Sequence, residues 1–382
     1  MAKRAMLVGC NYLGSYCPLY GCINDVTNMR KILMEVYGFK KKNIVFMVDT
    51  DEKSLMPTGK NIVQQLGKSI RLQSLGMCFI SISVATEAET GDHEDDGEDE
   101  CIYPADLNTI TDDTFRLLLA NLNPGVAFTF VFDSCHSGGL LDSQELQVGV
   151  GKEGKIGSET ASTRGGGVSE SAERKIDWMI PRRISTKSLI RHLAQASGHE
   201  VKVGTIRSTI YQLFHEDASI TVKMFVKNMS SRLEAEIPEE EWANSYNEVG
   251  VSALKHLKQM WDDRTIDNDK YFRSARLVNG PLDFSGHANA KPTGETLLPS
   301  TGTLVNGCQS DQTSADMPGD NGSYGALSNA VQTLVRKHAG KLSNKQLVNM
   351  TRAMMVEEGL DQRPCLYCRK DKVNAPFICS PL

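Results

Sequence analysis

The sequence has no apolar run approaching the ~20 residues that a membrane-spanning helix needs, so no embedded domain is expected. It has no excess of positive charge either. Its 42 basic and 47 acidic residues leave a net charge of -5, which gives no footprint for nucleic acid or an anionic surface. The opening Met1-Ala-Lys-Arg4 is followed only by a short apolar stretch, Ala5 to Cys10, with no cleavage site, so no secretory leader is expected. Ten cysteines in 382 residues are too sparse for a disulfide scaffold. They are expected as reduced thiols of a cytoplasmic protein, which leaves one free to act as a nucleophile. What is present is enough for a sizeable core: 40% hydrophobic and 23% charged residues exclude global disorder.

The first ~140 residues alternate strand-like and helix-like segments. Arg4–Cys10, Asn43–Val48, Met77–Ala85 and Val126–Asp133 are apolar runs that read as buried strands. Asp25–Tyr37, Gly59–Arg71 and Thr111–Leu122 have helical spacing. That alternation predicts an α/β fold, a mostly parallel sheet flanked by helices. Residues 143–180 turn to Gly, Ser, Thr, Glu and Lys and read as a flexible linker, and 186–265 read as helical. A second α/β unit follows, with a strand at Leu304–Cys308, helices at Tyr324–His338 and Ser343–Glu358, and a last strand at Ala375–Cys379.

The strongest chemical signal is Asp133-Ser-Cys-His-Ser-Gly-Gly139, directly after a buried strand. In a parallel sheet that end of the strand is where ligands bind. The paired glycines let backbone N–H groups turn toward a developing oxyanion. The bland alternative is a tight turn that needs small residues. His136 is a poor general base for Cys135, because neighbours on an extended chain point to opposite faces. Carboxylates crowd residues 92–100 and recur at Asp106, Asp112 and Asp113, which suits either a hard cation such as Ca²⁺ or a solvated acidic loop. Cys365 and Cys368 form a CxxC pair with no partner pair at zinc spacing, so they read as packed thiols.

Together these motifs resemble the type-II metacaspases of plants, cysteine peptidases with a caspase-like fold. The resemblance runs almost end to end, through Leu7-Val-Gly-Cys-Asn-Tyr12, Gly21-Cys-Ile-Asn-Asp-Val26, Pro57-Thr-Gly-Lys-Asn-Ile62, Ile110-Thr-Asp-Asp113 and the Cys135 segment. It continues through Gly307-Cys-Gln-Ser-Asp-Gln-Thr-Ser-Ala-Asp316, Tyr324-Gly-Ala326 and Pro364-Cys-Leu-Tyr-Cys368. It implies a large unit over 1–142, a linker and helical insertion over 143–300, and a small unit over 301–382 that completes the sheet. It implies Cys135 as the nucleophile, with Asp133, Asp25 and Cys22 lining a pocket for a basic side chain. It also implies a Ca²⁺-dependent endopeptidase that cleaves after Arg or Lys. Asp112 and Asp113 match its calcium positions, and Asp96, Asp99 and Asp142 are similar. Self-cleavage after a basic residue of the linker is implied too, with Arg182, Arg183, Lys187, Lys202 and Arg207 as candidates. Thr205 stands where the family often has lysine. The partners expected are protein or peptide substrates, with no nucleic acid, no membrane and no organic cofactor, and the protein itself is expected as a monomer.

One departure matters. The family ends its third strand with His-x-Ser-Gly-His-Gly, which carries the catalytic histidine. Between Phe79 and Gly91 this chain reads Phe-Ile-Ser-Ile-Ser-Val-Ala-Thr-Glu-Ala-Glu-Thr-Gly, and His93 falls well beyond that point. Two explanations stand. The chain is a catalytically dead pseudoprotease that binds peptides or regulates active paralogues, or its reading frame is displaced here. Ser83-Val-Ala-Thr-Glu87 can be encoded as TCA GTG GCC ACG GAG, which contains AGT GGC CAC GGA, Ser-Gly-His-Gly, in another frame.

Overall fold

The computed structural model describes residues 2–71, 76–83, 86–88, 100–119, 126–133, 146–148, 179–202, 205–219, 222, 302–308, 312, 314–320 and 322–382. The order begins β1 (Ala2–Gly9), α1 (Cys22–Glu35), β2 (Ile44–Val48), α2 (Gly59–Arg71) and β3 (Gly76–Ser83). Three short strands follow, β4 (Thr86–Ala88), β5 (Glu100–Ile102) and β6 (Ile110–Thr111). Then come α3 (Asp112–Leu119), β7 (Ala127–Phe132), β8 (Leu146–Val148), β9 (Ile180–Pro181), α4 (Thr186–Ser197) and α5 (Ile206–Phe214). The last part holds β10 (Gly302–Asn306), β11 (Ala315–Met317), β12 (Tyr324–Gly325), α6 (Ala326–Lys337), α7 (Asn344–Glu357) and β13 (Cys365–Cys368).

Among the described residues the main sheet has seven strands in the order β2-β1-β3-β7-β10-β13-β8. The five from β2 to β10 are parallel, and β13 and β8 close the far edge antiparallel. Because helices cover both faces, its central strands are apolar at successive positions rather than at alternate ones. Met6 and Val8 of β1 enter one apolar layer, and Ala5 and Leu7 enter the other. Phe128, Phe130 and Phe132 of β7 fill the first layer, where Phe115 of α3 meets Phe130 and Phe132 edge-on at 6.1 and 5.6 Å. On the opposite face α1 buries Val26, Met29, Ile32 and Leu33, one stripe at helical spacing. Helix α7 opens on a capping box between Ser343 and Gln346.

The register matters for the site. Ile82 pairs with Phe132, and the Asp133 N–H donates to the Ile82 carbonyl at 3.0 Å. The exits of β3 and β7 are therefore level at the carboxyl edge of the sheet.

Two readings need correction. The segment 143–180, read as linker, contains strand at both ends: β8 pairs with β13, and β9 pairs with β11. These short strands are set by the open edges they cover, not by their own composition. The last strand is β13, not Ala375–Cys379, where Ile378 at φ 60 breaks extended backbone while Phe377 stays buried. The described helices of the insertion, α4 and α5, pack into the core. Ile184, Leu189, Leu193 and Ile210 are buried in the same core as Met6 and Phe130. No described helix is long and apolar enough to cross a membrane.

Candidate active site

At the carboxyl edge of the sheet three carboxylates from distant parts of the chain converge. Asp25 stands in the first turn of α1, Asp133 directly follows β7, and Asp316 lies in β11. All three are buried, at 3%, 1% and 2% exposure. Between them sits the guanidinium of Arg182, fully buried. Its Nη2 donates to Asp25 Oδ2 at 2.5 Å and to Asp316 Oδ1 at 2.9 Å. Its Nη1 lies 3.3 Å from both the carbonyl oxygen and Oδ2 of Asp133. Burying so many charges is tolerated only when the remaining lone pairs are satisfied.

The surrounding backbone supplies much of that satisfaction. Gly325 N–H donates to both Asp25 oxygens, and Ser328 N–H donates to Asp133 Oδ2 at 2.8 Å. These donors belong to the unpaired N–H groups at the start of α6, a helix end that favours negative charge. The other Asp316 oxygen accepts from Tyr20 N–H at 2.8 Å and Gly21 N–H at 3.1 Å. Gly21 and Gly325 are needed here for space. A Cβ at Gly325 would collide with Asp133 Oδ2 and the Arg182 guanidinium, and one at Gly21 with Asp316 Oδ1 and the Tyr324 backbone.

Burial pushes the Asp25 carboxyl up to about 6; Arg182 pulls it down, Asp133 pushes it up, and burial wins. Burial alone would lower Arg182, but Cys22, Asp133, Asp25 and Asp316 together hold its pKa well above the ordinary arginine range. Arg182 therefore keeps its charge in this buried position.

The route by which Arg182 arrives is itself informative. Strand β9 lies antiparallel on β11, and Arg182 N–H donates to the Ser314 carbonyl at 2.9 Å. An extended segment added to a sheet edge, with one side chain dropped into a pocket, is a general mode of peptide recognition. Arg183 next to it is exposed, and Ile184 beyond is fully buried.

Of the residues singled out from the sequence, Cys22, Asp25 and Asp133 come together. Cys22 is the first residue of α1 and is fully buried. Cys135, Asp96, Asp99 and Asp142 lie outside the described residues. Asp112 and Asp113 open α3, and their side chains also lie outside them. Lys187 and Lys202 are exposed and Arg207 is half-buried. The Thr205 hydroxyl bonds within the turn at Lys202 and brings no charge. Asp316 was not read as a pocket residue, although it ends a motif singled out above. Arg182 was read only as one of several cleavage candidates. Cys365 and Cys368 are buried in β13, and the described residues hold no group of side chains able to bind a metal ion.

Comparison with known proteins decides the family. Residues 3–144 match the family model described as metacaspase, peptidase C14 domain. Metacaspase-6 of Arabidopsis thaliana is 38% identical, covering 99% of this chain and 100% of that protein. Metacaspase-4 of the same plant is 34% identical at the same coverage. The chain belongs to the metacaspase family. By family it is a cysteine-type peptidase, and proteins are its class of substrate. The fold extends further in sequence: a crystal structure of a Geobacter sulfurreducens protein, 15% identical, aligns over 100% of this chain and 99% of its own with a TM-score of 0.50. Metacaspase membership and the caspase-like α/β architecture therefore stand together, with the buried Asp25, Asp133 and Asp316 cluster at the carboxyl edge of the sheet.

Proposed function

We propose that this metacaspase is an endopeptidase that cleaves after arginine or lysine, with Cys135 as nucleophile and Asp25, Asp133 and Asp316 as the pocket for the basic side chain. The supporting observation is Arg182, seated among three carboxylates directly after a strand that lies along β11 as a substrate would. The Arg182–Arg183 bond is the proposed site of self-cleavage. In that reaction the Cys135 thiolate adds to the Arg182 carbonyl carbon, and the bond to the Arg183 nitrogen breaks. The departing amine takes a proton, and water then hydrolyses the thioester. Calcium dependence is part of the proposal, with Asp112 and Asp113 as the first residues to test. A monomer in the cytoplasm is the proposed setting.

A second reading is favoured by one observation. The exit of β3 runs level with that of β7, yet the chain offers Ser-Val-Ala-Thr-Glu there and no imidazole. An unassisted thiol keeps a pKa near ~8.5 and is mostly neutral at pH 7. In that reading Arg182 is a standing plug and the protein is a binder. The fluorogenic peptide Met-Ile-Pro-Arg, taken from residues 179–182, separates the two when assayed with Ca²⁺ and with Cys135→Ala as control. Hydrolysis above that control supports the peptidase. Hydrolysis equal to it supports the binder.

A further inference from the structure

The charge of the molecule is unevenly placed. The overall balance of -5 conceals a basic face at the edge of the sheet opposite the pocket. Helices α1 and α6 both begin beside the carboxylates and run away from them. At ~1.5 Å per residue they end about 20 Å off. The loop after α1 carries Lys40, Lys41 and Lys42, all exposed. The end of α6, the turn after it and the first turn of α7 carry Arg336, Lys337, Lys341 and Lys345, again all exposed. The loop after β13 carries Arg369, Lys370 and Lys372.

These three segments form one surface. Lys345 N–H donates to the Val373 carbonyl at 3.0 Å, and the Asn344 side chain donates to the Lys372 carbonyl at 2.9 Å. Gly340 packs so closely on Val36, Tyr37 and Pro381 that a Cβ would not fit. Residues 36–43, 336–345 and 369–376 hold ten basic side chains against one carboxylate, Asp371, which pairs with Arg369 at 3.0 Å.

We propose that this plate docks the protein on an anionic lipid surface, with the peptide-binding edge of the sheet turned away from it. Clustered lysines and arginines are attracted to the negative potential of acidic headgroups. A nucleic acid fits less well. The aromatic residues of these loops, Tyr37, Phe39 and Phe377, are buried at 0%, 3% and 0% exposure, so they form no platform for stacking bases. The expectation of no membrane contact rested on charge averaged over the chain, and that average is what hides the plate. The proposal does not depend on proteolytic activity.

The test is flotation of the full-length protein with vesicles of phosphatidylcholine alone and of phosphatidylcholine with about one-third phosphatidylserine. Binding is expected only to the second kind, weakening steeply as salt rises. Reversal of Lys40, Lys41 and Lys42 to Glu, or of Lys337, Lys341 and Lys345 to Glu, is expected to lower the bound fraction by at least ~10-fold. The same sets changed to Gln are expected to give a smaller loss with an unchanged melting temperature, which separates lost charge from lost folding. Equal binding to both vesicles, or full binding by the reversed variants, overturns the proposal. So does tighter binding to duplex RNA or DNA than to the acidic vesicles at the same salt.

Discussion

Arg182 and Asp25 meet at 2.5 Å with neither side chain exposed, 157 residues apart in the chain. The pair joins the segment after β9 to the first turn of α1. Asp133 and Asp316 extend the same contact to the end of β7 and to β11. One guanidinium therefore holds together elements from the beginning, the middle and the end of the sequence.

Replacing that guanidinium should be costly. Arg182→Ala leaves three buried carboxylates without their cation, and breaking a buried pair commonly costs about 3–5 kcal/mol. Thermal melting at neutral pH is the measurement, and a large fall is expected. Arg182→Lys restores one charge but not the fork, so an intermediate melting temperature is expected.

The same variant should acquire a pH dependence of defined sign. The Asp25 carboxyl sits at about 6 even with Arg182 beside it, above its ordinary unfolded value. A raised carboxyl pKa contributes stability that is complete below ~4 and lost as pH rises through the folded value. Arg182→Ala should therefore melt at higher temperature at pH 5 than at pH 8. Agmatine should show the opposite trend, because it binds the ionised carboxylate. Titration calorimetry should show its affinity falling by up to ~10-fold per unit once pH drops below the pKa of the emptied pocket.

Asp316→Asn tests the carboxylate supplied by the C-terminal part of the chain. It removes a charge-assisted hydrogen bond, worth about 1.5–3 kcal/mol, and weakens acceptance from Tyr20 and Gly21. A loss of roughly 10- to 150-fold in kcat/KM for Arg peptides is expected. If the protein proves silent, the same loss is expected in agmatine affinity in the Arg182→Ala background. An unchanged value would remove Asp316 from the pocket.

Sequencing the transcript across codons 75–95 should return an in-frame Ser-Gly-His-Gly. If it does, the restored protein should turn over Met-Ile-Pro-Arg peptides at least ~10³-fold faster than the present chain, the usual consequence of regaining a missing catalytic partner. If the locus encodes Ser-Val-Ala-Thr in frame with its neighbours, the pocket serves binding alone.

Much of the fold was legible because parallel strands covered on both faces leave continuous apolar runs, as in Val126–Asp133 and Asn43–Val48. Asp25, Asp133 and Cys22 were legible through their motifs. Strands β8, β9 and β11 were not, because two- and three-residue edges are defined by their partners rather than by periodicity. Asp316 escaped for a related reason. Nothing local in Ser314–Asp316 announces that Ile180–Pro181 will fold back onto it from 134 residues away. Arg182 looked like any basic linker residue, since burial of a charge is a property of the assembled pocket.

The interleaving of the main sheet has a consequence for what a cut would do. Strands β10 and β13 lie between β7 and β8, so the part of the chain after residue 182 is clasped on both sides by the part before it. Ile184 and α4 are anchored in the core just beyond that point. A nick at the Arg182–Arg183 bond would give two fragments that migrate as a single particle on a native gel and separate only on denaturation. Processing would change where the chain ends without changing what the molecule weighs.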